Sequence, residues 1–253
     1  MNTTKNRINF FDTSIDLLTM DETLQYIEKI IEERIVTQHV VVNVAKLVMM
    51  QRDAKLRNVV NSCDLINADG QGVVWGARVL GLNIPERVAG IDLFLKVVEL
   101  AAKKGYRLYF LGARQEIIER VVIRFLVKYP KLQIAGYRNG YFSKAEEAKI
   151  VGIIQNSRPH VLFVAMSSPQ KEIFLNQYIE SLQIPFMMGV GGSFDVVAGY
   201  TNRAPLWAQK AGLEWFFRLM CEPRRMWKRY LISNTIFAWM ILKALFRKVL
   251  WVY

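Results

Sequence analysis

Tyr106-Arg107-Leu108-Tyr109-Phe110-Leu111-Gly112, then Ala113-Arg114, then Gln115-Glu116-Ile117-Ile118-Glu119-Arg120-Val121-Val122, reads as a strand, a turn and the opening of a helix. The first run is short, apolar and closed by glycine, as a buried strand is. Residues 115–129 read as the helix, and Leu132-Gln133-Ile134-Ala135-Gly136 reads as the next strand. The alternation continues downstream. Ser143 and Glu146 form a capping box that opens a helix to about residue 156. Pro159 precedes the apolar strand 160–166, residues 170–181 read as a helix, and 184–190 as another strand. Upstream, Val40-Val41-Val42-Asn43 is a β-branched run followed by a helical pattern from 45 to about 60, and 91–104 is helical again. Strands alternating with helices over short connections predict an α/β fold: a Rossmann-like parallel sheet with helices on both faces.

Between the first strand and that series lies Asn67-Ala68-Asp69-Gly70-Gln71-Gly72. Cys63-Asp64-Leu65-Ile66 reads as a short strand before it and residues 73–80 as a helix after it, so Asp69 falls in a loop that a ligand can reach. Two readings compete. Asp69 either caps the helix, accepting from free backbone N–H groups, or it serves as a catalytic base.

A chain of 253 residues, 52% hydrophobic with both charge signs interspersed, supports one large domain or a domain with an appendage. Cys63 and Cys221 are far apart and have no Cys or His at ligand spacing, so neither a disulfide framework nor a zinc site is expected. The first residues hold no apolar signal core, and a cytoplasmic location is expected. The net charge of +12 is uneven: from Arg203 onward ten basic residues face only Glu214 and Glu222. Such a tail suits nucleic-acid phosphates, anionic lipid headgroups or a phosphorylated substrate.

A parallel sheet binds ligands at the carboxyl ends of its strands. Placed there are Gly112-Ala113-Arg114, Gly136-Tyr137, Ser167-Ser168-Pro169-Gln170 and Gly189-Val190-Gly191-Gly192-Ser193. Glycines let backbone N–H groups approach phosphates. The dinucleotide fingerprint is incomplete, since Phe194 stands at its final glycine position, and there is no Walker loop. His39 and His160 lie near no nucleophile motif, and no Gly-x-Ser-x-Gly elbow occurs, so a Ser-His-Asp hydrolase is not supported. No Asp-x-Asp pair offers itself to a metal-bound diphosphate, so a leaving diphosphate would be stabilised by cationic side chains and backbone donors; Arg87 and the tail arginines could serve.

Asn43, Ala68-Asp69-Gly70, Gly72-Val73-Val74, Glu86-Arg87-Val88-Ala89-Gly90, Asp92, Phe110-Leu111-Gly112, Ser168-Pro169-Gln170-Lys171-Glu172, Gly189-Val190-Gly191, Arg203-Ala204-Pro205, Gly212-Leu213-Glu214-Trp215 and Arg218-Leu219 follow one another in an order that resembles the WecG/TagA/CpsF glycosyltransferases. The resemblance spans nearly the whole chain. It implies an inverting, metal-independent transferase that moves an N-acetylmannosamine-type sugar from a UDP-sugar donor to an undecaprenyl-diphosphate-linked saccharide, in cell-surface polysaccharide or teichoic acid synthesis. No cofactor beyond the donor is implied. It further implies Asp69 as the base, Arg87 and Gln170 as active-site partners, and Gly189, Gly191 and Asp195 at the UDP end; Asn43, and Gly112 and Tyr137 at their strand ends, are expected to bind substrate. The family often has Thr two residues before the Asn; here that residue is Val41.

The resemblance also gives the tail a use, as a membrane-seeking appendage whose Arg218, Arg224, Arg225 and Arg229 close over a lipid diphosphate. The division expected is a core of residues 1–202 and an appendage of residues 203–253. Residues 231–253 are rich in Trp, Phe, Ile and Leu, but their longest uncharged apolar run, 236–242, is far short of the ~20 residues that span a bilayer. A peripheral position on the inner face of the cell membrane is therefore expected. The helical wheel of the tail is not cleanly two-faced, which leaves burial against a second copy of the chain as an alternative. A Rossmann-like methyltransferase or nucleotide hydrolase would explain the sheet without the tail. A nucleic-acid binder would explain the charge without Asp69, and nucleic acid is not the expected partner.

Overall fold

The computed structural model describes residues 6–250. Its centre is a six-stranded sheet, every adjacent pair parallel, built from β3 (Thr37–Val42), β4 (Leu65–Ala68), β5 (Arg107–Gly112), β6 (Gln133–Arg138), β7 (Val161–Ala165) and β8 (Phe186–Gly189) in the order β4-β3-β8-β7-β5-β6. The α/β expectation holds.

The central strands read as unbroken apolar runs because both faces of the sheet are covered. Phe110, Phe163 and Met188 face one side, where they meet α1 (Met20–Glu32), α5 (Gly90–Lys104), α6 (Gln115–Lys128) and α9 (Ser193–Ala198) through Ile27, Phe94, Val121 and Phe194. Leu111, Leu162 and Val164 face the other, against α7 (Glu147–Asn156) and α8 (Gln170–Leu182). Around β3 and β4, a third cluster joins Val40, Val42 and Ile66 to α2 (Val44–Arg52), α3 (Ala54–Asn61) and α4 (Gln71–Val79).

The structure corrects two boundaries read from the sequence and adds an element at the N-terminus. The helix expected from 45 to about 60 is two helices, because Asp53 ends α2 and its carboxylate caps α3, accepting from the Leu56 amide at 2.9 Å. The strand expected at 63–66 lies two residues later, at Leu65–Ala68, so Asp69 directly follows a strand end. The polar N-terminus forms an antiparallel pair, β1 (Arg7–Asn9) and β2 (Ser14–Asp16), before α1, whose capping box is Thr19 with Glu22. The box at Ser143 and Glu146 is present and opens a 3-10 turn that leads into α7.

Beyond residue 202 the chain forms α10 (Leu206–Lys210), α11 (Glu214–Cys221) and the long α12 (Pro223–Leu250). α12 lies against the body. Phe237, 8% exposed, packs its ring edge-on to Phe10 and Phe11, and a Cβ at Gly76 of α4 would come within 2.6 Å of it. Lys248 Nζ donates to the Leu80 carbonyl at 3.3 Å. On the opposite side of α12, Leu231, Ile232, Trp239, Leu242 and Phe246 are exposed, Trp239 to 65% and Phe246 to 67%. Both sides of the helix are thus apolar, which is why its wheel shows no single face. Among the described residues, no helix is long and apolar enough to cross a membrane.

Candidate active site

β3 and β4 end side by side, Val42 opposite Ala68, and the Asp69 amide donates to the Val42 carbonyl at 2.8 Å. The chain then turns at Gly70 (φ +102) into α4, but no side chain caps that helix. The capping reading of Asp69 therefore fails. Its carboxylate instead accepts from the amide of Gly90, the first residue of α5, and the Val88 amide fastens that incoming segment to the Ala68 carbonyl at 2.9 Å. The amino end of a 15-residue helix favours an anion. Burial acts the other way and dominates: the Asp69 carboxyl is pushed up to about 6, against the pull of Arg87 and Lys46 and with a further push from Glu214. A carboxylate at that value is a competent proton acceptor near neutrality.

Arg87 lies beside Asp69 and forms an ion pair with Glu214 of α11. Tyr230 of α12 also faces Asp69: its hydroxyl is pushed up by burial and by the Asp69 charge, against Arg218 and Arg229. Val41, at the family's Thr position, packs its methyls where a Cβ on Gly90 would touch them at 3.2 Å, making an apolar wall beside the carboxylate.

Sequence reading missed a buried ionic cluster next to this site. Lys46 donates to the Val41 carbonyl and pairs with Glu172, each at 2.7 Å, and Lys171 pairs with the same Glu172 oxygen at 2.9 Å. Ser168 Oγ donates to that oxygen at 2.8 Å. Burial opposes the Glu172 charge, but the two lysines outweigh it and hold the carboxyl well below its usual range; burial pulls Lys171 down, reinforced by Lys46. Lys-Glu neighbours on a helix usually face solvent, so the signals available were position, Lys46 coming three residues after Asn43 and Lys171-Glu172 opening α8 at a strand's carboxyl end, and the presence of Lys171-Glu172 in the family-like run from Ser168.

The sequence-chosen residues separate into groups. Asp69 and Arg87 act on one another, and Arg218 is linked to them through Tyr230, which feels both the Asp69 and the Arg218 charge. Asn43 caps α2, its Oδ1 accepting from the Lys46 amide at 3.0 Å, and so sets the direction of that lysine. Gln170 is exposed and its amide oxygen accepts from Ser167 Oγ at 2.8 Å; the next residue, Lys171, is the one that turns inward, its stem lying on Gly189, where a Cβ would meet it at 2.8 Å. Gly112 (φ +119) serves packing: a Cβ there would lie 2.4 Å from the Ala165 carbonyl. Gly191 (φ +54) has open space instead, with nothing nearer than 3.9 Å to such a Cβ. Arg218 lies over Gly192, its Nη2 3.2 Å from where a Cβ would stand and Asp195 Oδ2 at 3.8 Å, while its Nε is buried without a protein acceptor. A cavity of about 400 Å³ opens next to it, lined by Arg114, Asp195, Tyr200, Thr201, Asn202 and Glu222, among others. Tyr137 is exposed on β6, and Arg224 and Arg229 are exposed on α12. The side chain of Arg225 lies outside the described residues. Among the described residues, no three His, Cys, Asp or Glu side chains gather as a metal site.

The sequence profile of the glycosyl transferase WecG/TagA/CpsF family matches residues 8–249. The N-acetylglucosaminyldiphosphoundecaprenol N-acetyl-beta-D-mannosaminyltransferase of Bacillus subtilis strain 168 is 36% identical over 180 residues, 71% of this chain and 69% of that protein. The protein of the same name from Bacillus spizizenii is 36% identical over 173 residues, 68% of this chain and 66% of its own length. The chain belongs to the WecG/TagA/CpsF family and is a glycosyltransferase.

Proposed function

We propose that this family member transfers an N-acetylmannosamine-type sugar from a UDP donor to a saccharide carried on a polyprenyl diphosphate, with Asp69 as the general base and with no metal ion. The observation that carries the reading is the carboxylate at the end of β4, held at about 6 beside a guanidinium and beneath a basic helix. The acceptor hydroxyl gives its proton to Asp69 as its oxygen bonds to the anomeric carbon. The bond from that carbon to the UDP oxygen breaks on the opposite face, and the electron pair leaves with the diphosphate. A single attack of this kind inverts the anomeric centre and needs one base. Arg87, Arg218 and Arg229 supply positive charge for the leaving group in place of a metal. The polar cavity lined by Arg114, Asp195 and Asn202 suits the nucleoside end of the donor.

The relatives' names supply the acceptor class, an undecaprenyl diphosphate bearing N-acetylglucosamine. A peripheral position at the inner face of the membrane accompanies such an acceptor, and the exposed Trp239 and Phe246, near Lys228, Lys243 and Arg247, suit an anionic surface. The test is UDP release by purified protein supplied with a panel of UDP-sugars, with and without the lipid-linked acceptor. Release that depends on the acceptor, with a glycosylated lipid seen by mass spectrometry, supports the reading; acceptor-independent release or none at all overturns it.

A further inference from the structure

Only Glu214 and Glu222 oppose the ten basic residues of the last fifth of the chain, and Glu214 points into the site. Its carboxylate pairs with Arg87 and reaches Arg203 at 3.8 Å. Arg203 Nη2 stands 2.7 Å from Asp92 Oδ1, an ion pair without hydrogen-bond alignment, two residues beyond the Gly90 amide that serves Asp69. A chain of contacts therefore runs from Asp69 through the start of α5 to Asp92, Arg203, Glu214 and Arg87, whose charge in turn acts on Asp69. The turn that delivers Glu214 is tightly seated. Gly212 (φ +70) lies on the first turns of α4, where a Cβ would come within 2.7 Å of Gln71 Cβ and 3.2 Å of the Trp75 ring, and the Leu213 amide bonds the Ala208 carbonyl at 2.8 Å.

We propose that Glu214 is a positioning residue for the sugar transfer, holding the Arg87 guanidinium beside Asp69 and fastening the C-terminal segment over the Asp69 loop. The assignment rests on Asp69 being the base. Two carboxylates compete for one guanidinium here, and Glu214 has the direct contact. Without it, Arg87 is free to collapse onto Asp69, where it would weaken the base and cover the oxygen that must meet the acceptor hydroxyl. The charged and titratable groups that face Asp69 are Arg87 from the segment before α5, Lys46 from α2, Glu214 from α11 and Tyr230 from α12, with Arg218 and Arg229 flanking Tyr230.

The experiment reads the Asp69 carboxyl by carbon NMR titration of the full chain without substrate, beside turnover. In Glu214→Gln the Asp69 midpoint should fall by roughly half a unit to one unit, since a repelling charge is lost and Arg87 is released. Turnover should drop roughly tenfold to a hundredfold through kcat, with KM little changed, because the misplacement affects the transition state. Glu214→Asp, which keeps the charge, should recover much of the midpoint and part of kcat. An unmoved midpoint or an unchanged kcat in folded Glu214→Gln overturns the proposal. Arg87→Met gives a reading that does not depend on that variant folding: the Asp69 midpoint should rise, and failure to rise overturns the placement of Arg87 beside Asp69. The titration needs no substrate, so absence of sugar transfer by the wild-type chain would count against the function proposed above and not against the hold of Glu214 on Arg87.

Discussion

Asp69 and Gly90 belong to different elements, the end of β4 and the start of α5, yet the Gly90 amide donates to the Asp69 carboxylate, and a Cβ on Gly90 would lie 3.8 Å from Oδ2. The carboxylate is therefore aimed by backbone, which a substitution at residue 69 leaves in place.

Asp69→Asn should fold and lose turnover by a factor of roughly 10²–10⁴, the contribution of a general base. It should also melt at a higher temperature at neutral pH. The folded carboxyl titrates at about 6, above its ordinary value, so the wild-type protein loses stability as pH rises from about 4 to about 6 and stays at the lower level beyond. Removing that ionisation relieves up to about 3 kcal/mol at pH 7. Wild-type kcat/KM should rise with pH through about 6 and then level off. Calorimetry of both proteins across pH 4–8, with a pH profile of turnover, checks both halves; a variant that retains near wild-type kcat removes Asp69 from its role.

Chelation should leave activity unchanged. In the proposed mechanism Arg87, Arg218 and Arg229 supply the positive charge for the leaving diphosphate, so dialysis against EDTA before assay should have no effect. A loss restored by Mg²⁺ or Mn²⁺ would sink the metal-free mechanism.

Lys46→Met should destabilise the fold by about 3–5 kcal/mol, because it strips one of two lysines from the buried Glu172 carboxylate. The loss should be largest at neutral pH and shrink as pH falls from about 4.5 to about 2, since a carboxyl held down at about 2 keeps its charge until then. Urea melts at pH 7 and near pH 2 measure the difference. An equal loss at both values would mean that the Lys46 stem, and not its charge, carries the effect.

The two sides of α12 should respond differently. Phe237→Ala removes a ring packed on Phe10, Phe11 and Gly76 and should cost about 3–5 kcal/mol. Trp239→Asp, on the exposed side, should leave the melt within about 0.5 kcal/mol of wild type while weakening sedimentation with anionic vesicles. Equal sedimentation of the two full-length proteins would refute the lipid-facing role.

The sheet was legible in sequence because strands covered on both faces spell continuous apolar runs, as residues 106–112 and 160–166 do. The N-terminal hairpin was not, since three-residue strands are too short for alternation to register. Asp53 was passed over because the apolar pattern continues on both sides of it, and only the cap shows that one helix ends and another begins. Within the site, Asp69 could be found because glycine and alanine isolate it. Lys46, Lys171 and Glu172 could not, because charge in a sequence carries no record of burial. Glu214 had a signal that went unread: it is one of two acids in a strongly basic segment.

The double apolar character of α12 makes the helix a keyed shaft. Twenty-eight residues span about 42 Å, and Met226, Ser233 and Phe237 fix its rotation against the body, so whatever meets Leu231, Trp239 and Phe246 cannot turn them without also turning Tyr230, which lies within reach of the Asp69 charge. One residue inserted in its middle would swing the outer stripe by about 100°. The spacing of two stripes along one rod thus couples the outer surface of the molecule to the orientation of the helix end nearest Asp69, with no moving part between them.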